Sequence, residues 1–224
     1  MMQYLCIMMH CVLMGDVTAS RAKDARLVYA ALKSLIDDAG RAFAGRMLSP
    51  LTVTLGDEFQ GILADIRTGC DIIFWFQDQR LKRALPFDIH FSLVWGDIET
   101  PINPEIAHGM LGEGLAHARE LLTRKDRARP RYQVDVGLPC QTRMFNDLFS
   151  VLEGLEDRWS DKDFDLILAM LSSASDADVG AAFQKDRSQI WRRRKTLLIA
   201  EYNAVRSAIR DLATLGEETQ WAQS

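Results

Sequence analysis

Two aspartates at the ends of strand-like segments give the first chemical signal. Asp16 follows the apolar run at residues 4–13 (YLCIMMHCVL). Asp57 stands in Gly56-Asp57, between the β-branched run 51–55 and the returning segment 58–64. Carboxylates brought together at one lip of a sheet could hold a pair of Mg²⁺ ions. Such ions bridge nucleotide phosphates and stabilise the attacking and leaving oxygens of phosphoryl transfer. The polar loop 17–21 leads into a helical pattern, whose N-terminal N–H groups and positive dipole end favour a phosphate. Thr18, Ser20 and Arg21 would add donors there. An aspartate in a turn is also an ordinary turn former, so spacing alone leaves both readings open.

The other reactive side chains form no comparable set. His10 and His90 fall within strand-like runs, His108 and His117 flank a glycine turn, and no Ser-His-Asp arrangement follows from their spacing. Cys6, Cys11, Cys70 and Cys140 show neither a C-x-x-C pair nor a nearby histidine, so zinc is not indicated and reduced thiols of a cytoplasmic protein are expected. Glu58 should point away from Asp57 and reads as a solvated strand residue.

The elements that must position Asp16 and Asp57 are legible from periodicity. Residues 4–13 read as a central strand that stops at Gly15-Asp16, and Val28, Leu32, Leu35, Ile36 and Ala39 recur at helical spacing. Two strands joined through Gly56-Asp57 follow, then a helix over 67–85 closed by Pro86. Alternation from Ile89 to Trp95 gives a half-buried strand ending at Gly96-Asp97. The order βαββαβ predicts an α+β, ferredoxin-like sheet. Gly112-Glu-Gly114 then opens an amphipathic helix through Leu115, Ala118, Leu121 and Leu122, and the basic stretch 124–131 reads as an exposed loop. After the short apolar stretch 132–136 the chain reads as all helix. The domain change is placed near Gly137, giving domains 1–137 and 138–224.

Composition narrows the function classes. Of 224 residues 48% are apolar and 26% charged, as in ordinary globular proteins, and the net charge of −4 argues against a chain that coats nucleic acid or an anionic membrane with its whole surface. The opening apolar run is about half a membrane span and carries no leader features, so no membrane partner is expected.

Four motifs together resemble the SatD family of bacterial proteins: Gly15-Asp-Val-Thr-Ala-Ser-Arg21, Thr54-Leu-Gly-Asp-Glu-Phe-Gln-Gly61, Trp95-Gly-Asp-Ile-Glu-Thr100 and Gly112-Glu-Gly-Leu-Ala-His-Ala-Arg119. More distantly, the series is similar to class III nucleotide cyclases and to GGDEF diguanylate cyclases, and Gly56-Asp-Glu-Phe59 resembles the end of the GGDEF hairpin. The resemblance implies a nucleotide-cyclase-like domain in which Asp16 and Asp57 are the metal carboxylates and Arg119 is the arginine that stabilises the transition-state phosphate. It also implies a C-terminal helix-turn-helix. Leu115 replaces the asparagine of a class III cyclase, Val53 the lysine, and Leu55 the first glycine of the GGDEF motif. These departures leave turnover and base selection open.

In the C-terminal part, Ser160 reads as the N-cap of a helix with Phe164, Ile167, Leu168 and Leu171 inward. A short helix at 176–183 follows, with Val179, Ala182 and Phe183 inward, then a turn at 184–186 and a third helix from Arg187. In a helix-turn-helix, Ser188, Gln189 and Arg192 would face base edges while Arg193, Arg194 and Lys195 reach phosphates, with Ile190, Trp191 and Leu197 in the core. A plain helical bundle used for dimerisation is the alternative. The expectation is a cytoplasmic, homodimeric regulator that binds a nucleotide or phosphorylated small molecule with Mg²⁺ and binds DNA. The rivals are an active cyclase-type enzyme and a non-catalytic interaction module.

Overall fold

The structure is a computed structural model that describes residues 9–18, 24–124, 130–172 and 175–221. The fold is mixed α+β, built on a five-stranded sheet. The elements are β1 (Met9–Thr18), α1 (Ala25–Ala42), β2 (Met47–Leu55), β3 (Glu58–Leu63), α2 (Ile66–Arg83), β4 (Asp88–Asp97), α3 (Glu113–Thr123), β5 (Tyr132–Asp135), α4 (Pro139–Glu156), α5 (Phe164–Leu171), α6 (Asp176–Phe183), α7 (Arg187–Thr196) and α8 (Ile199–Trp221). The strand order is β2-β3-β1-β4-β5. β1 is central and antiparallel to both β3 and β4, and β5 joins β4 in parallel.

Side-chain alternation divides the sheet into two faces. Cys11, Leu13 and Val17 of β1, with Phe59, Leu63, Phe91 and Leu93, pack under α1 and α2. Val12, Met14, Ile62 and Val94 pack under Leu115, Ala118 and Leu122 of α3. β4 is therefore covered on both sides, with Ser92 and Val94 as buried as Phe91, and is not the half-buried strand its alternation predicts. The helix that covers its second face lies after it in the chain.

Glycines set two close approaches and one turn. Gly15 lies opposite Phe59, whose ring occupies the place of a Cβ: a Cβ on Gly15 would lie 2.2 Å from the ring. Gly114 lies against Gly96, and a Cβ on Gly114 would stand 2.7 Å from the Gly96 carbonyl carbon, so α3 sits directly on the β4 backbone. Gly56 begins the two-residue β2–β3 turn at φ +60, the sign that a type II′ hairpin requires at its first position.

The apolar core continues past Gly137 into the C-terminal helices. α8 lies against α4 and α2, and Arg206 of α8 donates two hydrogen bonds to Asp78 of α2 at 2.7 and 3.0 Å with its guanidinium over the Phe74 ring. A buried polar cluster ties β5 to the same helices. Glu156 of α4 accepts from Arg131 at 2.9 Å, from the Tyr132 hydroxyl at 2.6 Å and from the Tyr202 hydroxyl at 3.3 Å. Arg131 also donates to Asp157 at 2.5 Å. Burial works against the Arg131 cation, but Tyr132, Glu156 and Asp157 hold its pKa above the ordinary value.

Several expectations are corrected here. β1 runs through Gly15-Asp16 to Thr18, because β4 continues to pair with it as far as Asp88; its expected first residues, 4–8, lie outside those described. Arg131 belongs to the core and not to an exposed basic loop, since two acids of the α4 C-terminus neutralise it. Ser160 makes no side-chain cap bond and precedes a short 3₁₀ turn, Asp161–Asp163. Ala182 is exposed, because the short α6 turns Val179 and Gly180 inward, whereas Phe183 is half-buried and packs against the core as expected. Trp191 is 55% exposed, whereas Ile190 and Leu197 are buried as expected.

Candidate functional site

The sheet register sets the site. On the face covered by α3, Asp16 lies directly opposite Glu58 on one side and His90 on the other. Directly opposed antiparallel residues hold their Cβ atoms about 5 Å apart, and like charges so placed repel each other. Arg119, reaching from α3, donates to Glu58 Oε2 at 3.2 Å and brings a positive charge to this pair. Glu58 is thus a half-buried member of the site and not a solvated strand residue. The signal was the register: residues paired across β1 and β3 share a face, and a two-residue turn makes Glu58 the partner of Leu55 and Asp16.

Asp57 is exposed in the hairpin turn, and its carbonyl accepts the Val17 N–H at 3.2 Å. That bond ties the turn to the residue next to Asp16, so both aspartates lie at the same end of the sheet. Thr18 is the last residue of β1, paired with Asp88, and not part of a loop. Ser20 and Arg21 lie outside the described residues. At the N-terminus of α1, the Asp24 carboxylate accepts the Arg26 N–H at 2.9 Å. Among the described residues no group of three or more His, Cys, Asp or Glu side chains converges as a ready-made metal centre. Two carboxylates completed by phosphate oxygens are a usual way to hold Mg²⁺, and Asp16 and Asp57 supply that type of donor at one end of the sheet.

The positions that depart from the cyclase pattern are apolar and packed. Leu115 is buried against the sheet, and Val53 of β2 pairs with Phe59. His117 has a structural partner: its Nε2 lies 2.9 Å from Asp135 Oδ2, while Asp135 Oδ1 accepts from Gly137 N–H and Thr142 Oγ1 at the start of α4. Burial would raise the Asp135 carboxyl; the Gly137 N–H, His117 and Thr142 outweigh it and hold its pKa below the ordinary value.

In the second candidate region, α6 and α7 are joined by the turn 184–186, with Gln184 at φ +53. Ser188, Gln189, Arg192 and Lys195 are exposed, while Arg193 and Arg194 are half-buried. Gln189 Oε1 accepts the Asp186 N–H at 3.0 Å. Arg193 donates to Asp163 at 2.6 Å, and Arg194 to Asp176 at 2.8 Å and to the Met170 carbonyl at 2.9 Å. These two arginines brace α7 against α5 and α6.

The SatD family model matches residues 10–190, most of the chain and both candidate regions except the end of α7. The chain belongs to the SatD family. No curated protein matches this SatD-family chain. Solved structures similar to it include a bacterial light-regulated adenylyl cyclase, 17% identical with a TM-score of 0.37 over 52% of this chain and 40% of that one. Another is the catalytic core of a rhodopsin-guanylyl cyclase with converted specificity in complex with ATPαS, 16% identical with a TM-score of 0.37 over 54% of this chain and 74% of that one. The match thus spans less than half the length of the adenylyl cyclase chain. Among the described residues, no helix is long and apolar enough to cross a membrane.

Proposed function

We propose that this SatD-family protein is a regulator. Its ferredoxin-like, cyclase-like sheet binds a nucleotide or another phosphorylated small molecule with Mg²⁺, and its α6–α7 helices act as a helix-turn-helix on DNA. The observation that carries the first half is the Val17–Asp57 backbone bond, which keeps the Asp57 turn beside Asp16 while Arg119 reaches the same face. In this reading Asp16 and Asp57 hold the ion, and Arg119 exchanges Glu58 for a phosphate oxygen. The bound Mg²⁺ supplies positive charge to the phosphate oxygens. Thr18, at the end of β1, would offer its hydroxyl to a phosphate oxygen, and Ser20 and Arg21 keep the phosphate-donor role that their residue types suggest. Binding without turnover is favoured, because buried Leu115 and packed Val53 occupy the positions where a class III cyclase carries polar groups. The protein works in the cytoplasm as a homodimer, the arrangement that suits paired DNA half-sites.

A panel of nucleoside mono-, di- and triphosphates and cyclic dinucleotides, titrated calorimetrically into the full chain with and without Mg²⁺, tests this reading. Mg²⁺-dependent binding with the ligand recovered unchanged is expected. Cyclised or otherwise transformed product would replace the sensor with an active phosphoryl-transfer enzyme. No binding by any member of the panel would refute the site.

A further inference from the structure

We infer that Trp191, flanked by Arg187, Ser188, Arg192 and Lys195, is the apolar contact of a duplex-DNA-binding face on α7; this rests on the DNA reading above. Ile190 is the one buried residue of α7, and Arg193 and Arg194 are bonded to Asp163 and Asp176 of this same chain. The remaining surface of the helix carries Trp191, 55% exposed, together with exposed Arg187, Ser188, Arg192 and Lys195. Arg187, Ser188 and Trp191 line one open hollow.

Charge complementarity selects the occupant. α7 has no acidic residue, in a chain whose net charge is −4, and among the described residues Arg187, Arg192 and Lys195 form no ion pair with an acid. A tryptophan ringed by cations suits a surface that is anionic at its rim and apolar between. DNA presents this combination: phosphates for the cations, and a deoxyribose or thymine methyl for the indole. Membrane insertion would need an apolar face, and Trp191 is the one exposed large apolar side chain on α7. A single-strand platform stacks successive bases on several aromatics; α7 offers one aromatic on a regular helix of the width the major groove admits.

The test uses the full chain, random-sequence duplex DNA, single-stranded DNA and RNA of matching sequence, with binding read by anisotropy across a salt series and by tryptophan emission. Duplex should bind best and shift or quench the emission. Trp191→Ala should weaken binding by about tenfold, within the range of alanine substitutions at stacking aromatics, with the salt slope unchanged. Trp191→Phe should retain most of the affinity. Replacing Arg187, Arg192 and Lys195 together by Gln should lower the slope by about 2 to 3, three phosphate contacts at about 0.9 each. Melting curves of all variants should match the wild type, because the altered side chains are exposed. Wild-type affinity in Trp191→Ala would overturn the inference and leave the DNA reading standing. Tighter binding to single strands or RNA than to duplex would overturn the duplex assignment. No binding to any nucleic acid would overturn both the inference and the reading beneath it.

Discussion

Removing the Glu156 carboxylate should cost more than removing either of the tyrosine hydroxyls that donate to it. Glu156 is 5% exposed and satisfies Arg131, Tyr132 and Tyr202 at once. Its loss leaves a buried guanidinium with Asp157 as its remaining acid and two buried hydroxyls without this acceptor. Breaking one side of a buried ion pair costs about 3–5 kcal/mol, so Glu156→Leu should fall in that range. Tyr132→Phe removes a 2.6 Å bond to a charged acceptor and should cost about 1.5–3 kcal/mol. Tyr202→Phe removes the longer 3.3 Å bond and should cost about 0.5–1 kcal/mol. For a chain of this size, about 2–4 °C of Tm accompanies each kcal/mol, so Glu156→Leu should lower Tm by about 6–20 °C and Tyr202→Phe by about 1–4 °C. Urea and thermal melts of the three variants check the order. A Glu156→Leu protein no less stable than Tyr202→Phe would refute the argument that this cluster fastens the sheet to the C-terminal helices.

Two further outcomes test local arguments. Asp135 has a depressed pKa in the folded chain, so its contribution is complete above the ordinary carboxylate range and is lost as pH falls through the lower folded value. Urea melts should therefore show wild type more stable than Asp135→Asn at neutral pH, with the gap closing below about pH 4; a gap independent of pH would refute the assignment. Gly114→Ala forces a Cβ onto the Gly96 backbone and should cost about 1–3 kcal/mol. Gly40→Ala, on α1 with nothing within 4 Å of the added carbon, should stabilise by about 0.5–1 kcal/mol. Thermal melts showing the two alanines to be equivalent would contradict the close packing of α3 on β4.

How much of this was legible in the sequence depends on which forces decide each feature. The strand and helix order through Asp97 and the helix at Asp176–Phe183 follow from periodicity and turn chemistry, which are local. The end of β1 lies beyond the Gly15-Asp16 stop signal because pairing with β4 overrides it. Arg131 reads as one more cation in a basic stretch until Glu156 and Asp157, more than twenty residues later, close around it. The role of Glu58 is not legible locally, because its face depends on register with β1, and register is a pairing property. Residue type alone puts Trp191 in the core. Its exposure follows from the helix turning Ile190 inward instead.

If Asp16 and Asp57 serve one ligand, melting with and without Mg²⁺ and the best nucleotide of the panel will show it. At a ligand concentration about 100 times Kd, binding to the folded state contributes about 2.7 kcal/mol, or about 5–11 °C of Tm for a chain of this size. The wild type should rise by that amount only when both Mg²⁺ and nucleotide are present. Asp16→Asn and Asp57→Asn, each folded and melting near the ligand-free wild type, should not rise. An equal rise in either variant would mean that the two carboxylates do not share the ligand.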